Sequence, residues 1–167
     1  MVVVFQSLFV LGGLIILILL AFRMKGEKAV INMPENYKEL LEDYVQFYRQ
    51  LDEADKRLFE KRVEKFLIDV KITGVNAEVE DIDRLLIAAG AIIPVFIFFD
   101  WEYINLQEIL LYPGSFNEEF DQAGTDRYIA GMVGTGAMQH KMILTKWQLR
   151  QGFINNNDTH NTAIHEF

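Results

Sequence analysis

The chain has 167 residues, 51% of them apolar and 24% charged, with a formal net charge of −8 and no cysteine. Such an acidic balance repels phosphate backbones and excludes nucleic-acid binding as the main activity. The lack of thiols excludes disulfides, cysteine nucleophiles and thiolate zinc sites, leaving His140, His160 and His165 as the nitrogen donors for a metal.

Residues 2–22, "VVVFQSLFVLGGLIILILLAF", carry no charge, and about 20 apolar residues suffice to span a bilayer core. A cleaved signal peptide would need a basic start, a shorter apolar stretch and a small-x-small cleavage site. None is present, so the expectation is an uncleaved transmembrane anchor over residues 1–25. Arg23, Lys25 and Lys28 lie on its carboxyl-terminal flank, which by the positive-inside rule puts the following domain on the cytoplasmic side of the inner membrane. Residues 26–34 read as a linker, and 35–167 as a single domain.

In that domain Tyr37, Leu40, Leu41, Tyr44, Val45 and Tyr48 recur at helical spacing. A second helical stripe follows the capping residue Asp52, with Leu58, Phe59, Val63, Phe66, Leu67 and Val70 on one side. The two together predict a helical hairpin. Residues 71–78, broken by Gly74, read as an irregular connection. Residues 85–99 are uncharged but interrupted by Pro94, too short a run for a second span, which predicts a buried helix followed by an extended apolar piece. Asp81 and Asp83 read as caps of that helix.

From Leu106 onward, short β-prone runs alternate with Gly, Pro, Asn and Asp, as in "EILLYPGSF", "RYIAGMVGTGAM" and "HKMILTKW", which predicts hairpins of a small antiparallel or mixed sheet. Gly131, Gly134 and Gly136 fit no phosphate-loop spacing and read as a tight hairpin. "KWQLRQGF" reads as one helical turn, "INNNDTH" as a loop and "NTAIHEF" as the opening of a helix. The order of elements predicts an α+β class.

His165-Glu166 gains chemical meaning from a second His four residues after the first. That spacing puts both imidazoles on one helix face to chelate zinc, with the Glu beside the open coordination position. The last residue is Phe167, and from spacing alone the pair reads as a surface or helix-terminal pair.

Three segments in series carry a resemblance: "DRLLIAAGAIIP" at 83–94, "ILLYPGSF" at 109–116 and "NTAIHEF" at 161–167. In this order and spacing the chain resembles the zinc-dependent peptidases related to Mlc titration factor A, from about Tyr37 to its last residue. The resemblance implies a zincin-like metallopeptidase domain that cleaves peptide bonds with a zinc-activated water. His165 then matches the first zinc ligand and Glu166 the catalytic base, while the second His and a distant Glu ligand have no counterpart. It thus implies that 35–167 is the amino-terminal portion of such a domain, incomplete at its carboxyl end and inactive in this form.

By analogy with zincins, a peptide or protein substrate is expected along 140–145 as an edge strand, with His140, Met142 and Leu144 as its contacts. The plain alternative is an ordinary sheet strand with an exposed His140. The family also implies a transcriptional regulator as partner, and an alternative reading makes the domain a membrane-tethered module that captures such a protein without catalysis.

Overall fold

A computed structural model describes residues 33–115, 131–133, 139–154, Ile164 and Phe167. The chain divides after Val30, and Ile31–Phe167 is one compact unit. Its helices are α1 (Tyr37–Tyr44), α2 (Gln46–Arg49), α3 (Glu53–Asp69), α4 (Asp81–Ile92) and α5 (Lys146–Ile154), and its strands are β1 (Lys71–Gly74), β2 (Glu108–Tyr112), β3 (Gly131–Val133) and β4 (Lys141–Thr145).

The hairpin of helices forms, with a break. Val45 adopts an extended backbone between α1 and α2, and the chain then turns through Asp52, whose Oδ1 accepts the amides of Ala54 and Asp55 at 2.8 Å each. This cap starts α3, which buries Phe59, Val63, Phe66 and Leu67 on one face. From the same helix Glu60 accepts the hydroxyls of Tyr37 (3.0 Å) and Tyr48 (2.6 Å), fastening α1 and α2 to it.

The apolar run after Asp83 is a buried helix, as its composition predicts: every residue of α4 from Leu85 to Ile92 is buried. Pro94 lies in a short 3-10 turn, Ile93–Val95, that ends it. The apolar segment beyond this turn is not an extended core piece. Ile97, Phe99 and Ile104 are 73%, 77% and 79% exposed, while Arg62 of α3 donates to the carbonyls of Val95 and Phe96 and so holds the base of the loop.

The α+β class holds, but the transmembrane part of the expected fold is corrected. Among the described residues no helix is long and apolar enough to cross a membrane. The most apolar, α4, has 12 residues, or roughly 18 Å against a hydrocarbon core of about 30 Å, and protein rather than lipid surrounds it. The anchor expected over 1–25 and most of the linker lie outside the described residues.

Residues 71–74, expected to be irregular, are strand β1, parallel to β2 with Lys71 opposite Glu108. Only Ile72 of this strand is buried, so nothing local marks it, and pairing with β2 makes it a strand. The chain doubles back tightly after it: a Cβ at Gly74 would stand 2.0 Å from the Ala77 carbonyl oxygen, which explains the glycine.

The sheet order is β1-β2-β4-β3. It is mixed, as one of the two expected arrangements, with β2 and β4 parallel and β3 antiparallel to β4. Strand β4 buries Met142, Ile143, Leu144 and Thr145 in succession, the pattern of a strand covered on both faces.

At the entry end of the parallel strands Lys71, Glu108 and Lys141 stand side by side. Glu108 accepts the Thr73 hydroxyl at 2.7 Å and pairs with Lys141 at 3.0 Å and Lys71 at 3.3 Å. The Thr73 hydrogen bond, followed by the two ammonium groups, holds its carboxyl down to about 2. A carboxyl lowered on folding stabilises the fold above its unfolded value of about 4.3, and that contribution is lost as pH falls toward about 2. Glu108→Gln is therefore expected to cost about 1 kcal/mol at pH 7. In urea titrations at stepped pH, the difference from wild type should shrink below pH 4 and be lost as pH falls through about 2.

Candidate active site

Strand β4 runs directly into α5, and the chain after Ile154 leads to the His-Glu pair. Helix α5 is fixed to the start of α4 by a charged cluster. Asp83, 0% exposed, accepts Arg150 Nε on Oδ1 at 2.7 Å, while its Oδ2 accepts the Glu80 amide at 3.0 Å and faces Lys146 Nζ at 3.2 Å. Glu80 pairs with Lys146 at 2.5 Å and Arg150 at 3.1 Å. The capping role expected of Asp83 is present, and the same carboxylate also holds α5. Hydrogen bonding to Asp83 is the main reason the Arg150 guanidinium lies above its ordinary value.

His165 and Glu166 lie outside the described residues, but those on either side of the pair are placed. Ile164 is helical. Phe167 is half-buried, with its ring 5.8 Å from that of Phe66 and 5.4 Å from that of Tyr103. Tyr103 donates its hydroxyl to the Ala91 carbonyl at 2.8 Å, and burial pushes its pKa up to about 12, so it is a neutral structural phenol at any physiological pH.

Beside Phe167 opens a cleft of about 780 Å³ whose walls include Trp101, Tyr103, Leu106, His140 and Met142. His140 therefore does stand near the end of the chain. Its backbone is left-handed, with φ 66°, its Nδ1 lies 2.9 Å from the Asn105 carbonyl oxygen, and its own carbonyl accepts the Gln107 amide at 2.8 Å.

The edge-strand expectation for 140–145 is corrected. β4 lies between β2 and β3, because β3 pairs along Met142, Ile143 and Leu144, and Met142 and Leu144 are 4% and 1% exposed in the core. Neither backbone edge of β4 is open over that stretch, and the outer position next to it belongs to β3.

Among the described residues no group of three or more His, Asp or Glu side chains could hold a metal ion. A catalytic zinc site takes three protein donors. The His165 imidazole is a donor of the right kind and lies outside the described residues.

A family model, glucose-regulated metallo-peptidase M90, matches residues 22–167. The chain belongs to that family. It is the Mlc titration factor A family to which the three sequence segments point, and its members are metallopeptidases, so a metal is implied. The match takes in His165 and Glu166 together with the ring cluster at Phe167. No curated protein matches the chain significantly.

Sequence reasoning placed Phe66 in the core and Tyr103 nowhere, and missed that both meet Phe167. No local pattern signals a contact between residues so far apart in the chain.

Proposed function

We propose that the protein hydrolyses peptide bonds with zinc as its metal, His165 as one ligand and Glu166 as the general base. The observation that carries this reading is the family match running through the pair. It joins a nitrogen donor to an adjacent carboxylate, the two groups such hydrolysis requires. Zinc, when bound, polarises the scissile carbonyl and makes a water acidic. The chain's own part is to hold the His165 imidazole neutral, so that a ring nitrogen can donate. Glu166 takes the proton of the attacking water and returns it to the leaving amine. An extended peptide would pair with the outer edge of β3, the sheet edge beside β4 among the described residues.

Zinc analysis of the full-length protein, purified without chelators, tests the reading. Near-stoichiometric zinc, lost in His165→Ala, is the expected result, and a wild-type protein that carries and takes up no zinc would remove the proposal. A second reading, capture of a regulatory protein without hydrolysis, is favoured by the exposed side chains of Ile97, Phe99 and Ile104.

A further inference from the structure

Arg62 brings a cation into the wall of α3 without an anion beside it. Its Nη1 donates to the Val95 and Phe96 carbonyls at 3.1 and 2.9 Å, which accounts for its hold on the base of the loop. Its Nη2 is buried and has no hydrogen-bond partner. The titratable group that acts on its charge is Tyr103, and burial holds the guanidinium below its ordinary value. The Tyr103 phenol is neutral at physiological pH, so it offsets none of that charge. Buried N–H groups in native proteins are paired in the great majority, and an orphan on a charged side chain calls for a reason.

Arg62 also lines a cavity of about 240 Å³ between α3, the end of α4 and the loop before β2. Its apolar walls include Phe66, Ile92, Trp101 and Tyr103. The Tyr103 ring stands edge-on to Phe66 at 5.8 Å and to Trp101 at 6.2 Å, and its hydroxyl is tied to the Ala91 carbonyl, so this aromatic wall is braced. A second cation lines the cavity, but it is already matched: Lys65 pairs with Asp69 at 2.8 Å and with Glu102 at 3.1 Å. These two are the acids of the cavity wall, and both are committed to Lys65. One uncompensated positive charge therefore borders a mainly apolar space.

We propose that this cavity binds a small organic carboxylate, with an aromatic or branched apolar body against Phe66, Ile92, Trp101 and Tyr103 and the carboxylate turned to the Arg62 guanidinium. The inference is independent of the peptidase reading. A single negative charge complements the single unmatched cation, whereas a doubly charged phosphate would also face Asp69 and Glu102. A guanidinium shares its charge among five N–H groups, so the carboxylate offsets it through whichever of them the cavity presents. The volume lies below the roughly 300–1,000 Å³ of sites for drug-sized ligands, which sets the size of the body at about one ring.

Phenylacetate is the probe and phenylacetamide its uncharged counterpart, each titrated calorimetrically into the full-length protein. A Trp147→Phe background leaves Trp101 as the one indole and reports binding at the cavity by its fluorescence. Phenylacetate is expected to bind saturably and to shift Trp101 emission, and phenylacetamide to bind about 10–100-fold more weakly, the worth of a hydrogen bond to a charged group. Arg62→Met should weaken phenylacetate to the level of the amide and leave the amide unchanged. Should Arg62→Met fail to fold, the comparison of the two probes on the wild type decides alone. Equal affinity for acid and amide, no saturable binding of phenylacetate, or wild-type affinity in a folded Arg62→Met would each overturn the proposal. So would binding that leaves Trp101 emission unchanged, or binding abolished by a chelator, which would put the carboxylate on a metal instead.

Discussion

Asp83→Ala should lower the unfolding free energy by about 3–5 kcal/mol, the cost of removing one partner from a buried ion pair. Asp83 is 0% exposed and serves three donors at once: Arg150 Nε, Lys146 Nζ and the Glu80 amide. Its loss strands two cations at the junction of α4 and α5 and opens the first turn of α4. Glu80 still reaches both cations, but from the solvent side, where screening makes an ion pair worth about 1 kcal/mol or less. Urea unfolding at pH 7 reads the effect, with Glu80→Ala as the comparison. Should Asp83→Ala fail to fold, Asp83→Asn, which keeps the shape and the cap acceptor, is expected to fold at a smaller cost. A loss near 1 kcal/mol or less for Asp83→Ala would mean that the cluster is effectively solvated. Because α5 leads into the chain bearing His165 and Glu166, this junction also governs where that segment starts.

Glu166→Gln should reduce kcat by about 10²–10⁴-fold, the range for removing a positioned general base. KM and zinc content should stay close to wild type, because the amide keeps the size of the side chain but cannot carry the proton. His165→Ala differs in kind, since it should release the metal. Peptide hydrolysis and metal analysis on the same preparations separate the two roles. A Glu166→Gln protein that still cleaves peptide at the wild-type rate would exclude this residue as the base. Capture of a regulatory protein, measured alongside, should persist in Glu166→Gln if binding and hydrolysis are separable activities.

Some elements were legible because their causes are local. Helix α3 announces itself through Asp52 and the spacing of Phe59, Val63 and Phe66, which lie within a few residues of one another. The run after Asp83 reads as buried for the same reason, and Asp83 as a cap. The His-Glu pair was recognisable as a family motif without any knowledge of its surroundings.

Other features depend on partners far along the chain. β1 contains one buried residue and becomes a strand only because residues 108–111 lie beside it. Whether the apolar run of β4 forms an edge or an interior strand depends on β3, which the composition of β4 cannot encode. Arg150 reaches Asp83 across 67 positions, and nothing near either residue announces that pairing.

By itself, then, the sequence determined α3 and α4 with their caps, the α+β class and the family, since these depend on neighbours within a few residues or on a short ordered motif, whereas the segment read as one helical turn is the nine-residue helix α5. Only the tertiary structure decided that β3 takes the edge beside β4, that Asp83 binds α5, and that Phe167 seats between Phe66 and Tyr103. Those outcomes require closing long loops, so their free energy belongs to the folded chain as a whole and to no segment of it.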